Sequence, residues 1–133
     1  ITVDAVIGEN NSNKNKILVF IKKFPNIILH VQVSNLFELM SKADIAVGSG
    51  GINNWERLSM GLPSIVITFA KNQIETIKEL HKEKYIYYLG HYDEVNFKNL
   101  KFSVFNSCIN YIEKNFKFPT SSIKKVTDII LNN

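Results

Sequence analysis

The stretch ADIAVGSGGINNWER, residues 43–57, joins an apolar, strand-like run to a helix through a glycine-rich turn. The strand is predicted over Asp44–Gly48. The helix contains Trp55–Met60, and Gly61 and Pro63 are typical residues after a helix end. Glycines at such a junction let the backbone approach a ligand closely and leave amide hydrogens at the start of a helix, where phosphates bind. A plain tight turn has the same composition, so the stretch predicts either a phosphate site or a turn without a ligand.

The alternation of strand and helix continues on both sides of this stretch. Helical segments separate short apolar runs, which indicates βαβ units and a parallel sheet covered by helices on both faces. Ligands of such sheets bind outside the carboxyl ends of the strands. We predict an α/β fold, a Rossmann-like doubly wound parallel sheet, with residues 1–133 as a single domain. The predicted strands are Val3–Gly8, Ile27–Val31, Asp44–Gly48, Ser64–Phe69 and Tyr85–Leu89, and the later predicted helices are Asn35–Ala43, Gln73–Lys84, Asp93–Lys114 and Ser121–Leu131.

Length and composition exclude several classes of protein. A chain of 133 residues with 45% hydrophobic and 21% charged residues has room for one core and is not disordered. No apolar run reaches the roughly 20 residues of a membrane helix. The one cysteine, Cys108, has no disulfide partner, so we expect a small core residue and a reducing, cytoplasmic location. Because Ile1 opens the chain almost directly on a strand, we expect a piece of a longer protein.

The net charge of +4 does not point to nucleic acid. Apart from Arg57 the basic residues are lysines, and they are scattered along the chain. The doublets Lys22-Lys23 and Lys124-Lys125 have no interleaved aromatic residues that could stack on bases. We therefore expect no nucleic-acid partner.

Glu56 is the candidate polar residue of the helix that follows the glycines. Helical spacing places it on one stripe with Ile52 and Trp55, whereas Asn53, Asn54 and Arg57 point more to the other side. A charge on a mostly apolar face is costly without a partner. Two interpretations remain open: a buried carboxylate held by backbone amides, or a carboxylate in the ligand crevice that accepts hydrogen bonds from two sugar hydroxyls.

The remaining candidate groups indicate little chemistry of their own. We expect His30 to be packed or bonded to backbone, His81 to be solvated, and His91, at the carboxyl end of a strand, to be a minor candidate for a ligand contact. Tyr85, Tyr87 and Tyr88 are expected to be packing residues. No His/Cys cluster or Asp-x-Asp pair with metal-binding spacing is present, so we predict no metal and no cofactor.

Four segments carry a family resemblance: DIAVGSGG at 44–51, WER at 55–57, GLPS at 61–64 and NQ at 72–73. They closely resemble, in order and spacing, the UDP-sugar hydrolases of the pseudaminic acid pathway, which are related to MurG-type glycosyltransferases of the GT-B fold. The likeness extends over residues 3–90. It implies the C-terminal, nucleotide-binding domain of a GT-B fold, whose partners are a UDP-sugar and the protein's own N-terminal domain.

The resemblance also implies roles for individual residues. The diphosphate would be bound by the loop and first helical turn, namely Ser49, Gly50, Gly51, Ile52 and Asn53. Glu56 would bind the ribose hydroxyls, and the backbone around Val31 and Val33 would meet the uracil ring. Asn72 and Gln73 would face the sugar or the phosphate.

Two departures from the family pattern bear on function. Asn53 and Asn54 stand where the family usually has a Ser/Thr pair, and the family's N-terminal half, with its glycine-rich loop and its histidine, has no counterpart in this chain. We therefore expect the UDP-binding half of a hydrolase that releases UDP from a diacetamido-trideoxy-hexose, inactive by itself. The alternatives are the donor-binding domain of a MurG-like glycosyltransferase and a non-catalytic sugar-nucleotide-binding module.

Overall fold

The computed structural model describes residues 2–96, in which five strands alternate with four helices. The predicted helices Asp93–Lys114 and Ser121–Leu131 and the residue Cys108 lie wholly or largely outside the described residues. The strands are β1 (Val3–Ile7), β2 (Ile27–Val31), β3 (Ala46–Ser49), β4 (Ser64–Thr68) and β5 (Tyr87–His91). The helices are α1 (Lys14–Ile21), α2 (Leu36–Lys42), α3 (Ile52–Ser59) and α4 (Lys71–Lys82).

All the strand pairings of the described residues are parallel. β1 pairs with β2, and β4 lies between β3 and β5 in a second sheet. Helices connect consecutive strands, so the predicted α/β fold of the Rossmann-like, doubly wound type is confirmed. The chain divides into two compact units, the first ending at Leu39 and the second beginning at Met40.

The first unit contains the pair β1 and β2, in register from Val3 opposite Ile27 to Ile7 opposite Val31. His30, expected to be packed or bonded to backbone, is half-buried, and its polar partner is a side chain: its Nε2 lies 2.6 Å from Oδ1 of Asp4. The two residues are 26 positions apart in sequence, and the parallel register of β1 and β2 brings their side chains together. No local pattern around His30 could indicate this partner.

The core of the second unit forms around β4. Ile65 and Val66 of this strand are fully buried, and Ile77 of α4 and Ile86 are buried as well. Two residues later, Oγ1 of Thr68 and Oη of Tyr88 share a hydrogen bond of 2.9 Å. β4 is therefore a buried central strand, and its continuous apolar sequence is typical of a strand covered on both faces.

The predicted bounds of β5 were wrong by two residues. The strand begins at Tyr87, because Lys84 adopts a left-handed conformation (φ 65°) in the turn after α4. Gly90 does not end the strand: Leu89 is an extra residue in a β-bulge, and the strand continues through Gly90 (φ 136°) to His91. A glycine in a strand interior commonly marks such a bulge.

His81 also differs from its prediction. We expected a solvated side chain, whereas it is half-buried at the end of α4 and its Nδ1 accepts the N–H of Tyr88 at 3.3 Å. The ring of Tyr87 meets it edge-on, with 5.5 Å between centroids. The packing of α4 against β5 thus covers a face of the helix. Its Lys- and Glu-rich sequence had indicated that this face is exposed to solvent.

Candidate functional site

The turn between β3 and α3 exposes the start of a helix. β3 ends at Ser49, Gly51 is the N-cap residue in an extended conformation (φ −81°, ψ −158°), and α3 begins at Ile52. No side chain caps the helix. The first backbone N–H groups of a helix have no acceptor within it, and they carry the positive end of its dipole. This end of α3 is therefore suited to an anion.

Gly50 has a packing role in this turn. Its N–H donates to the carbonyl of Ile67 at 3.3 Å, which extends the pairing of β3 with β4. A Cβ at this position would lie 2.8 Å from Cγ1 of the buried Ile77. The glycine thus allows the turn to lie directly against α4. Its predicted role as a diphosphate ligand stays a prediction.

Two of the predicted site residues, Ser49 and Gln73, lie beside Gly51. A Cβ on Gly51 would lie 3.6 Å from Oγ of Ser49 and 3.8 Å from Nε2 of Gln73. Oε1 of Gln73 accepts the N–H of Phe69 at 3.2 Å, which orients the side-chain amide so that Nε2 faces Gly51. A hydroxyl, an amide N–H₂ and the start of α3 thus surround one small space. Asn72, next to Gln73, is exposed.

The predicted orientation of α3 was wrong. Glu56 does not lie on a buried face: it is exposed, as are Ile52 (79%) and Trp55 (53%). Asn54 and Arg57, expected on the other side, are the buried residues of the helix. The interpretation of Glu56 as a buried carboxylate held by backbone amides is therefore contradicted. Asn53 is exposed in the first turn, and its diphosphate role and the ribose role of Glu56 stay predictions.

Arg57 is the residue of this region that the sequence analysis missed. Its side chain is buried, its Nη2 donates to the carbonyl of Ser49 at 2.7 Å, and Oδ1 of Asn54 lies 3.4 Å from the same nitrogen. Burial lowers the pKa of the guanidinium, and the carboxylate of Glu56 opposes that change only in part. The one available signal was compositional, since Arg57 is the sole arginine among 16 basic residues.

The residues predicted on the uracil side belong to the first unit. Val31 ends β2 and Val33 is half-buried two residues later. Between them Gln32 adopts a left-handed conformation (φ 53°), and its N–H donates to the carbonyl of Ile7 at 2.9 Å. Its Oε1 accepts the N–H of Glu9, so the turns after β1 and β2 are tied together. The contact of this turn with uracil stays a prediction.

His91 lies at the carboxyl end of β5, as predicted. Its Nδ1 is 2.7 Å from Oδ1 of Asp93, and its backbone N–H donates to Oε2 of Glu94. Within residues 2–96, no three His, Cys, Asp or Glu side chains are close enough together to hold a metal ion. In the same residues no helix is both long and apolar enough to cross a membrane.

The comparison with known proteins gives one distant relation. No family model matches the chain. The chain is 29% identical over 73 residues to the spore coat polysaccharide biosynthesis protein SpsG of Bacillus subtilis (strain 168). The alignment covers 55% of this chain and 22% of SpsG, so the chain spans about a fifth of the length of that relative. The similarity supports a distant relation to a protein of sugar biosynthesis.

Proposed function

We propose that this chain binds the UDP moiety of a UDP-sugar and is the nucleotide-binding half of a sugar-nucleotide hydrolase. The observation that carries the proposal is the convergence of Ser49, Gly51 and Gln73 at the uncapped start of α3. Backbone N–H groups, a hydroxyl and an amide are donors, and a diphosphate consists of acceptors. Uncharged donors of this kind stabilise phosphate charge through hydrogen bonds and the helix dipole, without a metal ion.

The position of Glu56 extends the proposal from a phosphate to a nucleotide. Glu56 is exposed four residues after Ile52, which is about 6 Å along the helix axis. A ribose linked to a phosphate at the start of α3 lies within that reach. An exposed carboxylate accepts hydrogen bonds from two neighbouring hydroxyls, as the ribose of a nucleotide presents them.

The reaction we propose is hydrolysis. The oxygen of a water molecule bonds to the sugar carbon that carries the diphosphate, and the bond from that carbon to the diphosphate breaks. UDP leaves with the electron pair of that bond, and the water releases one proton to solvent. N–H groups at the start of α3 stabilise that charge as it develops. The motif resemblance supports a diacetamido-trideoxy-hexose as the sugar, in pseudaminic acid biosynthesis. The similarity to SpsG supports sugar biosynthesis as the context.

Calorimetry tests the ligand. We expect the 133-residue chain to bind UDP more tightly than ADP, GDP or CDP, and more tightly than UMP, which lacks the second phosphate. The affinity for UDP should be the same in EDTA and in Mg²⁺, because backbone and side-chain amide donors stabilise the charge of the diphosphate. Equal heats from all the nucleotides would contradict the uridine assignment, and a tenfold gain on adding Mg²⁺ would contradict the metal-free site.

The reaction is tested on a protein that contains this chain together with the proposed N-terminal half. A hydrolase releases UDP from the UDP-linked diacetamido-trideoxy-hexose in buffer alone. Release that needs an added acceptor sugar would identify a glycosyltransferase of the same fold. Binding without release under either condition would identify a sugar-nucleotide-binding module.

A further inference from the structure

The buried guanidinium of Arg57 forms no ion pair among the described residues, and the charge of the exposed Glu56 offsets the cost of its burial only in part. The ion pairs of residues 2–96 join other side chains, and Nε of Arg57 is buried without a hydrogen-bond partner. Taking a charge out of water costs several kcal/mol, and only an opposite charge or full hydrogen bonding repays that cost. Stability alone therefore does not explain an arginine at this position.

The contacts of Arg57 are concentrated on the turn that leads to α3. Nη2 donates to the carbonyl of Ser49 at 2.7 Å. The guanidinium also lies against the backbone of Gly48, because a Cβ on that glycine would be 2.7 Å from Nη1 and 3.1 Å from Cζ. The charged group thus occupies space that the missing side chain of Gly48 leaves open.

One peptide group of the turn is held at both ends. The carbonyl of Ser49 accepts from Arg57, and the N–H of the same peptide group, which belongs to Gly50, donates to the carbonyl of Ile67. A planar peptide with both polar atoms bonded has a fixed orientation. The next peptide group carries the N–H of Gly51, so the fixed peptide, together with the conformation of Gly50, positions that N–H and the start of α3.

We propose that Arg57 is a positioning residue that fixes the glycine turn for the diphosphate through the carbonyl of Ser49. The inference rests on the proposed UDP binding and adds to it a residue that does not touch the ligand. Gly48 contributes to the same positioning, because only a glycine at this position leaves room for the guanidinium of Arg57. A lysine lacks the planar fork that lets one nitrogen bond the carbonyl while another lies against Gly48.

The test is a double-mutant cycle on the 133-residue chain. Arg57→Lys removes the fork, and Gly48→Ala displaces the guanidinium without touching the site. Each should weaken UDP binding by roughly five- to tenfold, as part of the value of a charged hydrogen bond is lost. The double variant should bind UDP as tightly as the single variant of lower UDP affinity, because both substitutions remove the same contact. Lys78→Met, which removes an exposed charge on α4, is the control and should leave affinity within twofold.

NMR separates this inference from the proposed function. Without nucleotide, the amide resonances of Gly50 and Gly51 should move in both variants and stay in place in Lys78→Met. Unmoved glycine resonances, wild-type UDP affinity in both single variants, or affinity losses that multiply in the double variant would overturn the positioning role. If the wild-type chain does not bind UDP but Arg57→Lys still shifts the resonances of Gly50 and Gly51, the proposed function is overturned. The positioning role of Arg57 then stands.

Discussion

UDP affinity should fall by roughly ten- to a hundredfold when Glu56 is replaced by glutamine. The substitution keeps the size and one acceptor oxygen but removes the charge, and charged hydrogen bonds are worth about 1.5–3 kcal/mol. Because the side chain is exposed, the melting temperature without nucleotide should change little. Calorimetry and thermal unfolding of both variants, with and without UDP, measure the two effects.

The controls isolate the ribose contact. Glu75→Gln makes the same change of charge at an exposed position of α4 and should leave UDP affinity unchanged. A 2′,3′-dideoxy uridine diphosphate should bind the wild-type chain as weakly as UDP binds Glu56→Gln, and the substitution should not weaken it further. If Glu56→Gln weakens UDP and the dideoxy nucleotide equally, the carboxylate does not bind the ribose.

Alanine at Gly50 should lower the stability of the chain, whereas alanine at Gly51 should lower its affinity for UDP. At Gly50 the added methyl would lie 2.8 Å from Cγ1 and 3.2 Å from Cδ1 of the buried Ile77. Such overpacking costs about 1–3 kcal/mol of unfolding free energy. At Gly51 the backbone suits alanine (φ −81°) and the nearest atom is 3.6 Å away, so stability should stay within about 1 kcal/mol of wild type.

The affinity for UDP should distinguish Gly51→Ala, the variant of nearly unchanged stability, from the wild-type chain. The methyl of Gly51→Ala would occupy the space between Ser49 and Gln73, where we place the diphosphate, so UDP affinity should fall by roughly tenfold, or about 1.4 kcal/mol. Denaturant unfolding and calorimetry measure the pair. An unaltered UDP affinity in Gly51→Ala would move the phosphate away from this space, and a Gly50→Ala chain as stable as wild type would contradict the packing of the turn on α4.

Local patterns of residues were enough to predict the kinds of secondary-structure elements and their order. Ile27–Val31 was predicted as a strand with the bounds that the structure has, and the glycines at 48–51 marked the turn between β3 and α3. These signals are local, because the side-chain period, the chain-breaking residues and the conformational freedom of glycine act within a few positions. A run of parallel strands joined by helices then leaves few possible folds.

The buried face of α3 and the contacts between residues distant in sequence follow instead from the three-dimensional packing of the chain. Helical spacing groups Glu56 with Ile52 and Trp55 but does not say which side packs inward, and the structure buries Arg57 instead. The reason is a contact that forms only when the chain folds back, since the guanidinium needs the carbonyl of Ser49 and the bare backbone of Gly48. Such contacts depend on where strands and helices meet in space, and no pattern of neighbouring residues encodes that placement.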